Sequence, residues 1–128
     1  MRNYVCTLEQ AIKLKELGVT QDSIFCGYYD VFEYGIKKQG LLFTHDEVYN
    51  AENNVSDEYR LVAAAFTLQE ILELINKINY VNVDIFFMCN DAYMNYPDTA
   101  IDKAAALIKI LEKAKQTFIG KLEEEKKK

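Results

Sequence analysis

Apolar and polar positions along the chain switch between a helical and an alternating period several times. The first periodic segment opens with Thr7-Leu8-Glu9-Gln10, where the Thr hydroxyl can accept from the backbone N–H three residues on while Gln10 reaches back. Leu8, Ala11, Ile12, Leu14 or Lys15, and Leu17 then recur near helical spacing, and Gly18 stands where a helix end wants positive φ. This predicts a helix over about 8–17. After a turn at Val19–Ser23, the aromatic run Ile24–Tyr29 reads as a strand. Val31–Ile36 is a second strand, or the two form one long bent strand with Asp30 at its weak point. Lys37-Lys38-Gln39-Gly40 reads as a hairpin turn with Gly40 free to take positive φ, and Leu41–Thr44 returns as a strand.

The stretch His45–Glu58 is polar, Asn-rich and poor in apolar anchors, and is expected to be a long loop. Tyr59–Phe66 reads as a strand that runs into a second capping box, Thr67-Leu68-Gln69-Glu70. Leu68, Ile71, Leu72, Leu74 and Ile75 make the stripe of a helix over about 68–78. In Tyr80–Met88, Val81, Val83, Ile85 and Phe87 alternate with Asn82, Asp84, Phe86 and Met88, which predicts a half-buried strand. Cys89–Tyr96 follows as a turn with a short strand near Tyr93–Tyr96. Past Pro97, Thr99 or Asp98 caps a last helix over about 100–122. Its expected buried stripe is Ile101, Ala104, Ala105, Ile108, Leu111, Ala114, Phe118 and Leu122. The order implies an α+β fold, with a mainly antiparallel sheet of 4–6 strands and three helices largely on one face. A single domain over 1–122 and a charged tail at 123–128 are expected.

Charge narrows the function. The 128 residues carry a net charge of −5, and Arg2 and Arg60 are the two arginines. A role on duplex nucleic acid, where affinity comes from basic contacts to phosphates, is not expected. No apolar run reaches the roughly 18 residues of a membrane span, and Met1–Cys6 lacks the apolar core of a signal peptide. A cytoplasmic protein is expected, with Cys6, Cys26 and Cys89 reduced and buried. His45 has no second histidine to complete a zinc site, so neither a metal nor a cofactor is expected.

No Gly-rich phosphate loop, G-x-S-x-G or H-E-x-x-H is present, which points away from an enzyme. The distinctive feature is nine Tyr and seven Phe without a single Trp. Strand alternation leaves some of these rings at a surface or an interface, where they can stack on a base or pack against a second copy in a homo-oligomer. The expected ligand-binding residues are Tyr28, Phe86 and Tyr93 for stacking, with Asn90, Asp91 and Arg60. Asn90 can read an adenine edge, and Asn90-Asp91 is equally an ordinary turn dipeptide. Arg60 can hold a phosphate bidentately or pair with Asp57 or Glu58.

The opening Asn3–Ala11, with Lys13–Val19 and Gln21–Phe25, resembles that of small proteins common in tailed phages and prophages. Ala65-Phe66-Thr67 and Ile101–Leu111 hold the places of that group's central Ala-Phe-Thr and its Ala-rich last helix. The group's aromatic strand usually carries Trp, which is absent here. In size, setting and element order the chain is also similar to the Thoeris anti-defence sponge proteins. That resemblance implies a non-enzymatic oligomer, cytoplasmic in the infected host, that sequesters a cyclic ADP-ribose-type or other nucleotide-derived signal. Backbone N–H groups at the three helix N-termini, or Arg60, would meet its phosphates. The alternative expectation is a module that binds a host or phage protein.

Overall fold

A computed structural model describes residues 4–23, 25–54, 58–78 and 83–126, and the side chains of these outside 52–54 and 116–126. In chain order the elements are α1 (Leu8–Glu16), β1 (Cys26–Glu33), β2 (Ile36–Thr44), α2 (His45–Asn54), β3 (Glu58–Ala65), α3 (Leu68–Ile78), α4 (Val83–Asn95) and α5 (Ala100–Lys126). The class is α+β, with three strands and five helices among the described residues rather than 4–6 strands and three helices. No described helix is long and apolar enough to cross a membrane.

The sheet is antiparallel in the order β2-β1-β3. Of the two readings left open around Asp30, the single continuous strand is the one that forms, as β1. The hairpin turns at Tyr34-Gly35, both at positive φ, with Glu33 paired to Ile36. Two consecutive positive φ values match the right-handed twist of the flanking strands. The expected turn at Lys37–Gly40 lies inside β2 instead. Gly40 does take positive φ, but in a bulge: Tyr29 pairs with Leu41 and Val31 with Lys38, so Asp30 faces two residues. The Asp30 carboxylate accepts the Gly40 N–H at 2.9 Å. Where β1 meets β3, the register shifts at Val62, and its carbonyl accepts from Lys15 Nζ at 2.9 Å.

The main core lies on one face of the sheet. Tyr28, Cys26 and Ala63–Ala65 meet α1, α3, α4 and α5 through Leu14, Ile71, Ile75, Ile85, Leu107 and Ile110. The alanines of β3 are small enough for α1 to come close. Both expected capping boxes at Thr7 and Thr67 are formed. Gln10 does more than cap: its Oε1 accepts the Thr7 N–H and its Nε2 donates to the Ile101 carbonyl at 2.8 Å, fastening α1 to α5. A glutamate there could cap but not donate.

Two expectations fail on α2 and α4. His45–Glu58, expected as a loop, contains α2, with 55–57 outside the described residues. Tyr80–Met88, expected as a strand, lies on α4 from Val83 onward, as does the short strand expected at Tyr93–Tyr96 up to Asn95; residues 79–82 lie outside the described residues. In α4, Ile85, Cys89 and Ala92 are the buried side chains, a helical spacing that the alternation of Val81–Phe87 masks. On α5 the buried face is Ala100, Lys103, Ala104, Ala106, Leu107 and Ile110, so Ile101 sits outside it; Phe118 and Leu122 lie outside the described side chains.

Candidate functional site

Tyr28 and Tyr29 are neighbours on β1 and so project to opposite faces of the sheet. Tyr28 belongs to the main core and donates its hydroxyl to the Cys6 carbonyl at 2.6 Å. Tyr29 meets α2 on the other face, where its ring stands edge-on to Phe43 and His45. Gly27 makes room for this approach: a Cβ there would stand 2.7 Å from Leu61 Cδ1, 2.9 Å from Tyr29 Cε2 and 3.4 Å from His45 Cε1.

His45 is held at both ring nitrogens. Its Nε2 lies 2.7 Å from the Ser23 carbonyl, which can only accept, so Nε2 carries a proton. In the neutral ring Nδ1 then accepts from the Tyr29 hydroxyl at 2.9 Å. The His45 backbone N–H donates to the Phe25 carbonyl at 3.0 Å. The Ser23 hydroxyl donates to Glu70, whose same oxygen accepts the Thr67 N–H. One network thus joins β1, the segment before it, α2 and α3.

Beside this network lies a cavity of about 500 Å³ lined by Tyr4, Phe25, Cys26, Thr44, His45, Asp46 and Thr67. Two strand contacts bring these distant positions together. Cys26 pairs with Thr44 at the end of the β1–β2 ladder, and an isolated bridge joins Val5 to Thr67. Thr44 and Thr67 are also the N-caps of α2 and α3, so both helices begin at the cavity. Each start is already capped. Thr44 accepts the Glu47 N–H and gives its own N–H to the Glu47 carboxylate, as Thr67 does with Glu70. The carboxylates of Glu47 and Glu70 therefore offset the positive ends of both helices. Phosphate binding at the start of α3, one of the three helix N-termini that the resemblance offered for it, is disfavoured, and the start of α2 is no better suited. The aromatic walls, Tyr4 at 71% and Phe25 at 53% exposure, remain open.

Cys26 lines the cavity but is not an activated thiol. Burial, then the negative charges of Glu70 and Glu47, push its pKa up, and His45 has both nitrogens engaged. Burial likewise raises Cys6, to about 11, and Cys89. All three cysteines are free and buried. No group of three or more His, Cys, Asp or Glu among the described residues is placed to hold a metal ion.

The six residues singled out from the sequence do not line this cavity. Tyr28 sits in the core, at a separate cavity with Leu8, Gly40 and Ile101. Arg60, on β3 opposite Asp30, pairs with Glu58 at 2.9 Å and lies 4.9 Å over the Phe32 ring. Phe86, Asn90 and Tyr93 share one flank of α4 at helical spacing. Tyr93 donates its hydroxyl to the Leu72 carbonyl on α3, and burial followed by the nearby Cys89 raises its pKa. Asn90-Asp91 is not in a turn, and Asp91 accepts from Asn95 at 2.6 Å one helical turn on. Of the cavity residues, the sequence drew attention to His45 and to Thr67 as a cap, but not to Tyr4, Phe25 or Thr44 as neighbours. Comparison with protein-family models, curated proteins and solved structures gave no match for the chain.

Proposed function

We propose that the protein is a non-enzymatic binding protein that takes up the base and ribose of a nucleotide-derived molecule in the cavity beside His45. In the phage setting that its opening resembles, this uptake sequesters an immune signal. The observation that carries the reading is the placement of two half- to three-quarters-exposed rings, Tyr4 and Phe25, on one cavity with Thr44, His45, Asp46 and Thr67. Such a mixture of flat apolar walls and a few polar groups, at this volume, is what small-molecule sites have. The Thr hydroxyls and the Asp46 carboxylate offer partners for ribose hydroxyls and exocyclic amines. With Glu47 and Glu70 at the two helix starts, the ligand's phosphates point away from the cavity floor.

The test is a thermal-shift and mass-spectrometric screen. Protein is heated to release bound small molecules, and the apoprotein is titrated with adenosine, cyclic dinucleotides and cyclic ADP-ribose-type compounds. Binding is expected, and Phe25→Ala is expected to weaken it by about 1–3 kcal/mol, the usual worth of one stacked base. Unchanged affinity in both Phe25→Ala and Tyr4→Ala refutes the cavity. A stabilisation by none of the panel refutes the ligand class.

A further inference from the structure

The exposed face of α4 carries several large apolar side chains. Val83 is 68%, Phe87 64% and Met94 82% exposed, and their spacing places them on one line, opposite the buried Ile85, Cys89 and Ala92. Phe86 and Tyr93, each about two-fifths exposed, border this line on the side where Tyr93 reaches α3. Together these side chains present on the order of 500 Å² of apolar surface, the size at which a patch on a monomer marks an interaction site.

The other border is acidic. Asp84 and Asp91, seven residues apart, follow one edge of the apolar line. Between Lys77 and Lys103 the sequence holds four aspartates and no cation. Of the next two cations, Lys103 is buried against the Tyr93 and Tyr96 carbonyls at the end of α4, and Lys109 lies 5.8 Å over the Tyr96 ring. A second copy packed through this face would bring its own aspartates to the seam, and like charges across an interface oppose pairing.

We infer that the α4 face docks a basic amphipathic helix of a partner protein, with apolar anchors on Phe87 and Met94 and Lys or Arg along the Asp84–Asp91 edge. Long apolar side chains, a flexible methionine among them, adapt to such helices.

Calorimetric titration with two designed helical peptides of the same apolar pattern tests this, one of leucine and lysine and one of leucine and glutamate. The lysine peptide is expected to bind and the glutamate peptide is not. The affinity for the lysine peptide should fall about tenfold in Asp84→Asn/Asp91→Asn and weaken with added salt. Met94→Ala, at a position too exposed to unsettle the fold, should weaken it comparably, with the circular dichroism unchanged. Binding of both peptides alike, or of neither, overturns the inference. So does a wild-type dimer in sedimentation that Phe87→Glu dissociates, since a second copy then covers the face.

Discussion

Lys103 is wholly buried, although lysine is among the residues least often found inside a protein without partners. Its partners are the carbonyls that a helix end leaves over. The ammonium donates to Ala92, to Tyr93 at 3.1 Å and to Tyr96 at 2.9 Å, at the C-terminal end of α4. It lies 3.5 Å from the exposed Asp98 carboxylate as well. A positive charge suits the C-terminus of α4, and the lysine stem fills the space between α4 and α5. Lys103→Met keeps the stem and removes the donors, stranding buried carbonyls. It is expected to cost about 2–4 kcal/mol, read as a lower urea midpoint at unchanged m-value. Asp98→Ala, which removes an exposed partner, is expected to cost less than about 1 kcal/mol. Equal losses in the two variants would show that the ion pair, not the carbonyl cap, holds the joint.

At the level of elements, local signals were legible where a cap and a period agreed. The Thr7 and Thr67 boxes and the stripes behind them locate α1 and α3 to within a residue or two. Helix α2 carried the same kind of signal: Thr44-His45-Asp46-Glu47 has a Thr cap and a Glu three residues on, and both capping bonds form. The polar composition behind it hid the helix, because Val48 is its one buried apolar side chain among those described. Helix α4 was hidden for the opposite reason. It is apolar on nearly every side, so a short window of β-branched and aromatic residues reads as an alternating strand. On α5 the expected stripe holds at Ala104, and Ile108, Leu111 and Ala114 pack against the core, but the most buried line runs through Lys103, Leu107 and Ile110, because a buried lysine looks like a solvent-facing position. Thr44→Ala removes the acceptor for the Glu47 N–H and is expected to cost about 1 kcal/mol. Faster amide exchange confined to the first turns of α2 would follow, and unchanged exchange there would mean that packing alone holds the helix start.

For the whole molecule, the sheet divides two unequal packing regions. Four helices bury a large core on one face, while α2 covers the other through Val48 and the edge-on rings of Tyr29, Phe43, His45 and Tyr59. The candidate cavity lies where α2 begins, and its walls come from four separated segments joined by the Val5–Thr67 bridge and the Cys26–Thr44 pairing. Those long-range pairings are why the site was not legible in the sequence, which showed aromatic surplus but not which rings would meet. The unequal packing makes a further expectation. With few buried contacts, α2 should open on its own, at a lower free energy than global unfolding. Val48→Ala should then speed amide exchange in α2 while leaving the slowest amides of α5 unchanged. Ile110→Ala, a core truncation costing about 2–5 kcal/mol, should speed both wherever exchange follows global unfolding. If Val48→Ala speeds the α5 amides as much as those of α2, the two faces unfold as one unit. The cavity beside His45 would then have no opening motion separate from the fold, and ligand entry would have to use the cavity as it stands.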